Sequence, residues 1–324
     1  MSVDTLSDVL RSVRLTGAVF FDVETRAPWV AESPHAREIA DSVLPGVQHV
    51  IPYHVVTSGS GYAALIGEPP IRLEAGDVIV LPHGDAHVMS SEPGLRGKVD
   101  IATYRPPPEM PLPVLFRPGP EGPRETSLVC GFLGCDIAPF NPLIACLPRV
   151  LHDSASRGRR DNWLAQFVHH AVVEAREARA GGACMLSKLS ELMFVEVVRR
   201  HLESLPEGRT GWLSGLRDPQ IGRALASLHE RPSHAWTLES LAHAAAMSRS
   251  AFADRFGDLV GAPPMRYLAQ WRMQLASTLL ARGDRTLPEI AREVGYQSEA
   301  AFSRAFKKLV GASPGNWRKR SLHA

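Results

Sequence analysis

The amino-acid sequence predicts a multi-domain α+β protein, in which a β-rich N-terminal domain with added helices precedes an all-α C-terminal domain. Residues 15–147 hold short apolar runs rich in β-branched residues and separated by Gly and Pro, as in a barrel or sandwich of short strands. From Asp161 onward, apolar residues recur at the three- and four-residue spacings of helices. Near the C-terminus, "LVGAPP" at Leu259–Pro264 returns as "LVGASP" at Leu309–Pro314.

The strand prediction rests on the segments "HVIPYHVVTSG", "YAALIGE" and "GDVIVLPHGDAH". The segment Tyr104–Glu125 is dense in Pro, and strand-like "TSLVCGFLGCDI" follows it, which indicates an exposed loop. Two helices, Asp161–Ala180 and Leu186–Leu205, then follow, with an apolar stripe that fits either ordinary core or a dimer face. The Gly, Pro and Ser content of Pro206–Pro219 is typical of a linker. We therefore expect domains at 1–205 and 218–324, with a linker at 206–217.

The charge distribution separates the two halves of the chain. The whole sequence has 36 Lys and Arg against 34 Asp and Glu. Residues 212–324 hold 16 basic and 9 acidic residues, a balance of +7, and residues 1–211 hold the remaining 20 and 25, a balance of −5. A basic C-terminal half indicates a polyanionic partner, although a basic solvated surface has the same composition.

Targeting signals do not appear in the sequence. The first residues lack the apolar core of a secretory signal, and no run of about 18 apolar residues occurs. Four cysteines are too few for a disulfide scaffold in 324 residues. We therefore expect a cytoplasmic protein with reduced thiols and no membrane partner.

The C-terminal domain reads as helix almost throughout. Ser, Thr and Pro stand at the positions where helices begin, with Thr237, Ser248, Thr286 and Ser298 as expected N-caps. The predicted helices are Pro219–Glu230, Leu238–Ala246, Arg249–Val260, Pro264–Arg282, Leu287–Val294, Glu299–Val310 and Pro314–Lys319.

The repeated phrase belongs to a longer repeat. Phe252, Phe256 and the following "LVGA" recur 50 positions later, and Thr237 and Leu238 recur 49 positions later. The one-residue difference falls in a turn, so the repeating unit is helix, turn, helix, "GA-x-P". A helical solenoid needs at least three repeats, and only two are present. Two helix-turn-helix units joined by one long helix fit this number, and in such a unit the second helix enters the major groove.

This region resembles the DNA-binding domain of AraC-family transcriptional regulators. The resemblance is carried by "LAHAAAMSRSAFADRFGDLVGAPPMRYLAQWRMQLASTLL" and "IAREVGYQSEAAFSRAFKKLVGASPGNWRK" and covers about the last 100 residues. It implies a bacterial regulator whose two units read two successive major-groove segments of a double-stranded DNA operator.

Exposed positions early in each second helix are the candidate DNA contacts. Arg donates in pairs to guanine, Gln pairs with adenine, and an Asp accepts from cytosine or orients a neighbouring Arg. A solvated helix face is the alternative at each position. The candidates are Ser248, Arg249, Ser250, Asp254 and Arg255 in the first unit, and Gln297, Ser298, Glu299, Ser303, Arg304 and Lys307 in the second. Lys307, Lys308, Arg318 and Lys319 also suit phosphate contacts.

The acidic half carries the pattern G-x5-P-x-G-x2-H at Gly76, Pro82, Gly84 and His87. This spacing is similar to the second motif of the cupin superfamily, with Ser91 where that motif ends in Asn. In the first cupin motif, the two His positions fall on Pro52 and His54, and its Glu is missing. The resemblance implies a small cupin-like β-barrel that keeps two of four usual metal ligands.

Several roles for these barrel residues stay open. His54 and His87 with Cys130 or Cys135 would form a set suited to Zn or another divalent metal. The alternatives are a metal-free barrel with packed histidines, redox-active cysteines, or cysteines that are small buried hydrophobes. An effector pocket would include His54, His83 and His87.

Two functional hypotheses follow. The first is a homodimeric transcriptional regulator whose barrel senses a small molecule, metal or oxidant, with RNA polymerase as a further partner. The second is a metal-dependent cupin enzyme with an accessory helical domain. Catalysis at such a metal needs three or four ligands and an open position, and the sequence supplies few ligands, so we expect binding without turnover and no enzyme activity.

Overall fold

The computed structural model describes residues 4–13, 15–105, 112–154, 170, 173–174, 177, 180–206 and 210–322. These residues divide into a barrel unit and a helical unit. The barrel unit contains the described residues of 15–136 and 147–204, and the helical unit contains those of 1–14, 137–146 and 205–324. No helix among the described residues is long and apolar enough to cross a membrane.

The barrel unit is built from a six-stranded and a four-stranded sheet. The six-stranded sheet has the order β10-β6-β3-β9-β1-β8, and the four-stranded sheet has the order β2-β7-β4-β5. The strands are β1 Thr16–Thr25, β2 Val30–Ser33, β3 His49–Ser58, β4 Ser60–Leu65, β5 Ile71–Glu74, β6 Val78–Val80, β7 His87–Ser90, β8 Val114–Phe116, β9 Thr126–Cys135 and β10 Leu151–Asp153.

The centre of the six-stranded sheet is the antiparallel group β1, β9 and β3. Gly131 in β9 lies against the Ala18 carbonyl and the Tyr53 hydroxyl, and any Cβ there would overlap both. A core of apolar side chains, including Phe20, Trp29 and Leu128, lies between the sheets. This confirms the predicted small barrel.

Helices of the barrel unit are α2 Ala40–Val43 and α4 Gly182–Ser204. Helix α4 packs on β1, where Gly17 lets the helix approach the strand closely and the Tyr53 hydroxyl lies 2.6 Å from the Ser190 hydroxyl. The predicted helix Leu186–Leu205 is thereby confirmed. The predicted helix Asp161–Ala180 lies largely outside the described residues.

The helical unit contains ten helices within the described residues. Six of the seven predicted C-terminal helices are found within two residues of the expected ends, and the seventh continues three residues further. The helices are α1 Thr5–Ser12, α3 Pro142–Cys146, α5 Trp212–Arg217, α6 Ile221–Glu230, α7 Leu238–Ala244, α8 Arg249–Val260, α9 Pro264–Arg282, α10 Leu287–Glu293, α11 Glu299–Val310 and α12 Pro314–Leu322.

The expected domain boundaries need two corrections. Helices α1 and α3 belong to the helical unit, because Gln274 of α9 donates to the Ser12 carbonyl and accepts from the Phe140 amide. The expected linker 206–217 contains helix α5, whose Trp212 side chain is buried and donates to the Tyr267 hydroxyl at 2.8 Å. The Gly and Ser content predicted a linker, but an apolar Trp-Leu pair drives this stretch into the core.

Candidate nucleic-acid interface and ligand cavity

The second helix of each unit begins and ends in the same way. The Ser248 and Ser298 hydroxyl oxygens accept from the Ala251 and Ala301 amides, at 3.4 and 3.2 Å, and thereby cap α8 and α11. At the other end, Gly261 and Gly311 adopt left-handed φ angles of 77° and 82°.

A buried aromatic pair holds each of these helices in place. The pairs are Phe252 with Phe256 in α8 and Phe302 with Phe306 in α11, and all four rings are fully buried. The long helix α9 contacts both α8 and α11. Because the Phe pair fixes one face inward, the opposite face of each helix is presented to solvent.

All predicted contact residues of the first unit are exposed. Two of them are held by carboxylates. Arg249 lies 3.0 Å from Glu239 of α7. Arg255 donates through Nε at 3.1 Å and through its terminal nitrogen at 2.5 Å to Asp218, a carboxylate only 9% exposed. Asp218 also accepts from the backbone amides that start α6, and the Arg255 guanidinium lowers the pKa of its carboxyl, against burial.

The second unit presents a different surface. Of its predicted contact residues Ser303 is half-buried, and the others are exposed. Within the described part of the chain, Arg304, Lys307 and Lys308 make no ion pair within 4.0 Å. The α11 sequence has three basic residues and one acidic residue, whereas α8 has two of each. The second unit therefore carries the stronger uncompensated positive charge.

Asp218 and Glu239 are parts of this surface that sequence reasoning missed. An Asp before a helix is recognisable as a cap, but nothing local to Asp218 points to an arginine 37 residues away. Arg318, expected at a phosphate, is half-buried and donates to the Arg285 carbonyl at 2.6 Å. Its guanidinium is thus engaged with the protein's own backbone.

A cavity of about 120 Å³ lies inside the barrel unit between the two sheets. Its wall is mainly apolar, and its few charged side chains are Glu32, Lys98 and Asp100. Glu32 is paired with Arg96 at 2.6 Å, and Lys98 and Asp100 are exposed. The apolar wall includes Phe21, Val23, Trp29, Ile39, Met89, Phe116, Leu128 and Phe132.

Two buried histidines meet at the wall of this cavity. The Nε2 atoms of His54 and His87 lie 2.7 Å apart, and their ring centroids are 4.8 Å apart. His87 Nδ1 lies 2.9 Å from the Asp85 carbonyl oxygen. Burial lowers the pKa of both imidazoles, and for His54 the neighbouring His87 lowers it further, so both rings are neutral near pH 7.

The cupin resemblance implies a metal here, and the residues present fit one poorly. Two nitrogens bound to one tetrahedral zinc ion lie about 3.3 Å apart, given Zn–N distances of about 2.0–2.1 Å. In contrast, His54 Nε2 and His87 Nε2 are within hydrogen-bond distance of each other. Among the described residues, no group of three or more His, Cys, Asp or Glu side chains is placed to hold a metal ion.

The structure places one of the other expected residues beside this pair and separates two from it. Cys130 lies opposite His54 in the register of β9 and β3 and lines the cavity. Cys135 pairs with His49 five residues further along and does not line the cavity, since positions an odd number apart in a strand face opposite sides. His83, an expected pocket residue, lies outside the wall, with Nε2 2.9 Å from the Leu147 carbonyl oxygen. The structure therefore brings Cys130 to the cavity with His54 and His87 and leaves Cys135 and His83 outside its wall.

The buried thiols are poorly suited to oxidant sensing. Burial raises the pKa of Cys135 to about 12 and raises the pKa of Cys130 as well, so both are protonated near pH 7. Cys184 in α4 is exposed.

Two capped helix-turn-helix units, together with a small β-barrel that contains a cavity, define a class of two-part DNA-binding regulators. A cupin family model matches residues 4–203, and a helix-turn-helix domain model matches residues 241–320. The chain belongs to the AraC family of DNA-binding transcriptional regulators and carries an N-terminal cupin domain.

Three relatives agree with this assignment. The chain is 28% identical over 332 residues to the HTH-type transcriptional regulator AlkR of Acinetobacter baylyi, covering 98% of this chain and 100% of AlkR. It is 46% identical over 182 residues to a putative AraC-like transcription regulator of Streptomyces antibioticus, covering 56% and 59%. It is 30% identical over 268 residues to an uncharacterized HTH-type transcriptional regulator of Haemophilus influenzae, covering 82% and 85%.

Proposed function

We propose that the chain binds a specific operator through α8 and α11 and that a small molecule in the barrel cavity changes its affinity for that operator. The observation that supports operator reading is the pair of capped helices whose buried faces match and whose exposed faces differ. Two helix-turn-helix units that share a buried core but differ in their exposed side chains suit the reading of two different DNA segments.

The cavity supports the effector part of the proposal. It is mainly apolar and is lined by a few polar groups, which is the usual composition of a small-molecule site. An effector acts only if it binds better to one of two states of the protein. The paired histidines and the lack of a third metal ligand among the described residues favour binding over turnover at this site.

Helix α4 supports a dimer in the same proposal. Met185 and Leu192, seven residues apart on α4, are 51% and 54% exposed. Apolar residues at this spacing lie on one side of a helix, where a second copy of the chain would bury them. A contact with RNA polymerase remains part of the proposal.

The test begins with selection of genomic fragments by the full-length protein. We expect an enriched motif with two parts, one for each unit. Arg304→Ala should then weaken binding to this motif by about 1–3 kcal/mol and relax preference at one base pair. Arg266→Ala is the matched control, because Arg266 is exposed on α9 outside both candidate surfaces. Failure to enrich any motif, or an unchanged preference in Arg304→Ala, would contradict the proposal.

A further inference from the structure

The face of α8 that lies opposite its buried aromatic pair carries a carboxylate at its centre. At 3.6 residues per turn, Asp254 is about 180° around the helix from the midpoint of Phe252 and Phe256. Asp258, one turn further along, lies about 140° from the same midpoint. Both aspartates are exposed. This face of α8 therefore presents negative charge to its surroundings.

The second unit has the opposite charge at the same place. The 50-residue repeat aligns Asp254 with Arg304 and Asp258 with Lys308, and both basic residues are exposed. Helices α8 and α11 otherwise share the buried Phe pair, the Ser cap at the start and the left-handed Gly at the end. The charge reversal therefore lies on the outward face, where packing within the protein does not require it.

The structure also decides between the two roles that the sequence leaves open for Asp254. Arg255 is held by Asp218, which accepts from its Nε at 3.1 Å and from its terminal nitrogen at 2.5 Å. Arg249 lies 3.0 Å from Glu239. Among the described residues Asp254 makes no ion pair within 4.0 Å, so it orients neither arginine. Its carboxylate is available to a molecule outside the protein.

A carboxylate on a helix that enters the major groove is unfavourable unless a base compensates it. DNA carries one negative charge per about 1.7 Å of its axis, and this charge repels the carboxylate. The hydrogen-bond donors in that groove are the amino groups at cytosine N4 and adenine N6. The adenine amino group lies between two acceptors, its own N7 and the thymine O4, whereas the cytosine amino group has an acceptor on one side only. Cytosine is therefore the base that best accommodates an Asp side chain.

We propose that Asp254 makes the first unit a specificity filter: it accepts a hydrogen bond from cytosine N4 at one operator position and repels DNA that lacks this cytosine. The basic face of α11 supplies the attraction that holds the chain on DNA while the first unit discriminates between sequences. This inference rests on the proposed reading of an operator by α8 and α11.

The test compares Asp254→Ala with Asp258→Ala in the full-length protein. Each substitution removes one exposed carboxylate from α8 and raises its helix propensity in the same way. Asp258 is the matched control, because it lies further from the N-terminal part of the helix, where base edges are contacted. The wild type and both variants select duplexes from a library of randomised sequence. We expect one cytosine position of the wild-type motif to become uninformative in Asp254→Ala alone.

Affinities for single duplexes then give the size of the effect. Replacing that C·G pair with T·A puts thymine O4, an acceptor, where the amino donor stood. This should weaken binding of the wild type and of Asp258→Ala about tenfold, which corresponds to about 1.4 kcal/mol, and should change binding of Asp254→Ala by less than about twofold. On random-sequence DNA both variants should bind severalfold more tightly than the wild type, because each lacks one negative charge near the phosphates.

Three results would overturn the inference. They are a wild-type motif in which no cytosine depends on Asp254, loss of the same position in Asp258→Ala, and affinity for random-sequence DNA that neither variant changes, which would place this acidic face away from DNA. Arg304→Ala in the same selection tests the operator reading separately. If Arg304→Ala relaxes its own position and Asp254→Ala relaxes none, the operator reading stands and the filter fails. If the wild type enriches no motif, both fail.

Discussion

The difference in charge between the two candidate recognition helices predicts which of them sets the salt dependence of DNA binding. Lys307 and Lys308 of α11 are exposed and have no ion pair among the described residues, whereas Arg249 and Arg255 of α8 already face carboxylates. Each phosphate neutralised by a lysine contributes about −0.9 to the slope of log affinity against log salt. Removing two such contacts with Lys307→Gln/Lys308→Gln should make the slope shallower by about 1.8.

This change is large enough to measure. Between 50 and 200 mM salt, a slope difference of 1.8 corresponds to about 12-fold in affinity, because the salt concentration rises fourfold. The assay is fluorescence anisotropy of the full-length protein on a random-sequence duplex at four salt concentrations. Random sequence is sufficient, since phosphate contacts do not depend on base identity.

The matched control is Arg249→Gln/Arg255→Gln, which removes the same formal charge from α8. Its effect on the slope should be smaller, because each arginine already faces a carboxylate, Glu239 or Asp218, and is less available to neutralise a phosphate. Equal slope changes in the two double variants would refute this reasoning, as would an unchanged slope in the α11 variant. Circular dichroism of each variant checks that the helices persist.

Three further predictions concern the packing of each unit. Burial lowers the pKa of His229 to about 3, so between about pH 6.5 and pH 3 the unfolded state binds a proton that the folded state does not. The free energy of unfolding therefore falls as the pH falls through this range. Between pH 7.5 and 5.5, His229→Gln should lose about 1.4 kcal/mol less unfolding free energy than wild type, measured by urea unfolding. Gly131→Ala should destabilise the barrel unit by about 1–3 kcal/mol, while Gly257→Ala, inside α8 with nothing within 4 Å, should stabilise by about 1 kcal/mol in the same unfolding assay. Iodoacetamide at pH 7.5 should modify Cys184 first by mass spectrometry, and early labelling of Cys130 or Cys135 would contradict their burial.

The sequence predicted the helical unit well because its signals are local. For α8, α9 and α11 the predicted ends match the observed ones. A capping Ser or a first-turn Pro marks each start, and a Gly in the left-handed conformation follows each end. The cupin spacing likewise placed His54 and His87 together inside the barrel.

The features that the sequence did not predict depend on contacts between distant residues. Helix α1 joins the helical unit through Gln274, more than 260 residues away. Whether His54 and His87 form a metal site or a hydrogen-bonded pair depends on the orientation of their rings and on the presence of a third ligand nearby. The spacing of residues in the sequence determines neither. Asp218 was not singled out from the sequence, because its role needs the folded position of Arg255.

The two helix-turn-helix units therefore share a scaffold and differ in how their basic side chains are held. In the first unit, Asp218 is itself fixed by two backbone amides, so it positions the Arg255 guanidinium before any DNA arrives. A pre-positioned donor loses little side-chain entropy on binding, which suits a directional contact with one base edge. In the second unit, Lys307 and Lys308 are unrestrained by ion pairs among the described residues, which favours contact with phosphates at many positions. The repeated "LVGA-x-P" phrase ends both helices alike, with Gly261 and Gly311 in the left-handed conformation. We expect the differing residues between the caps to distinguish the two units.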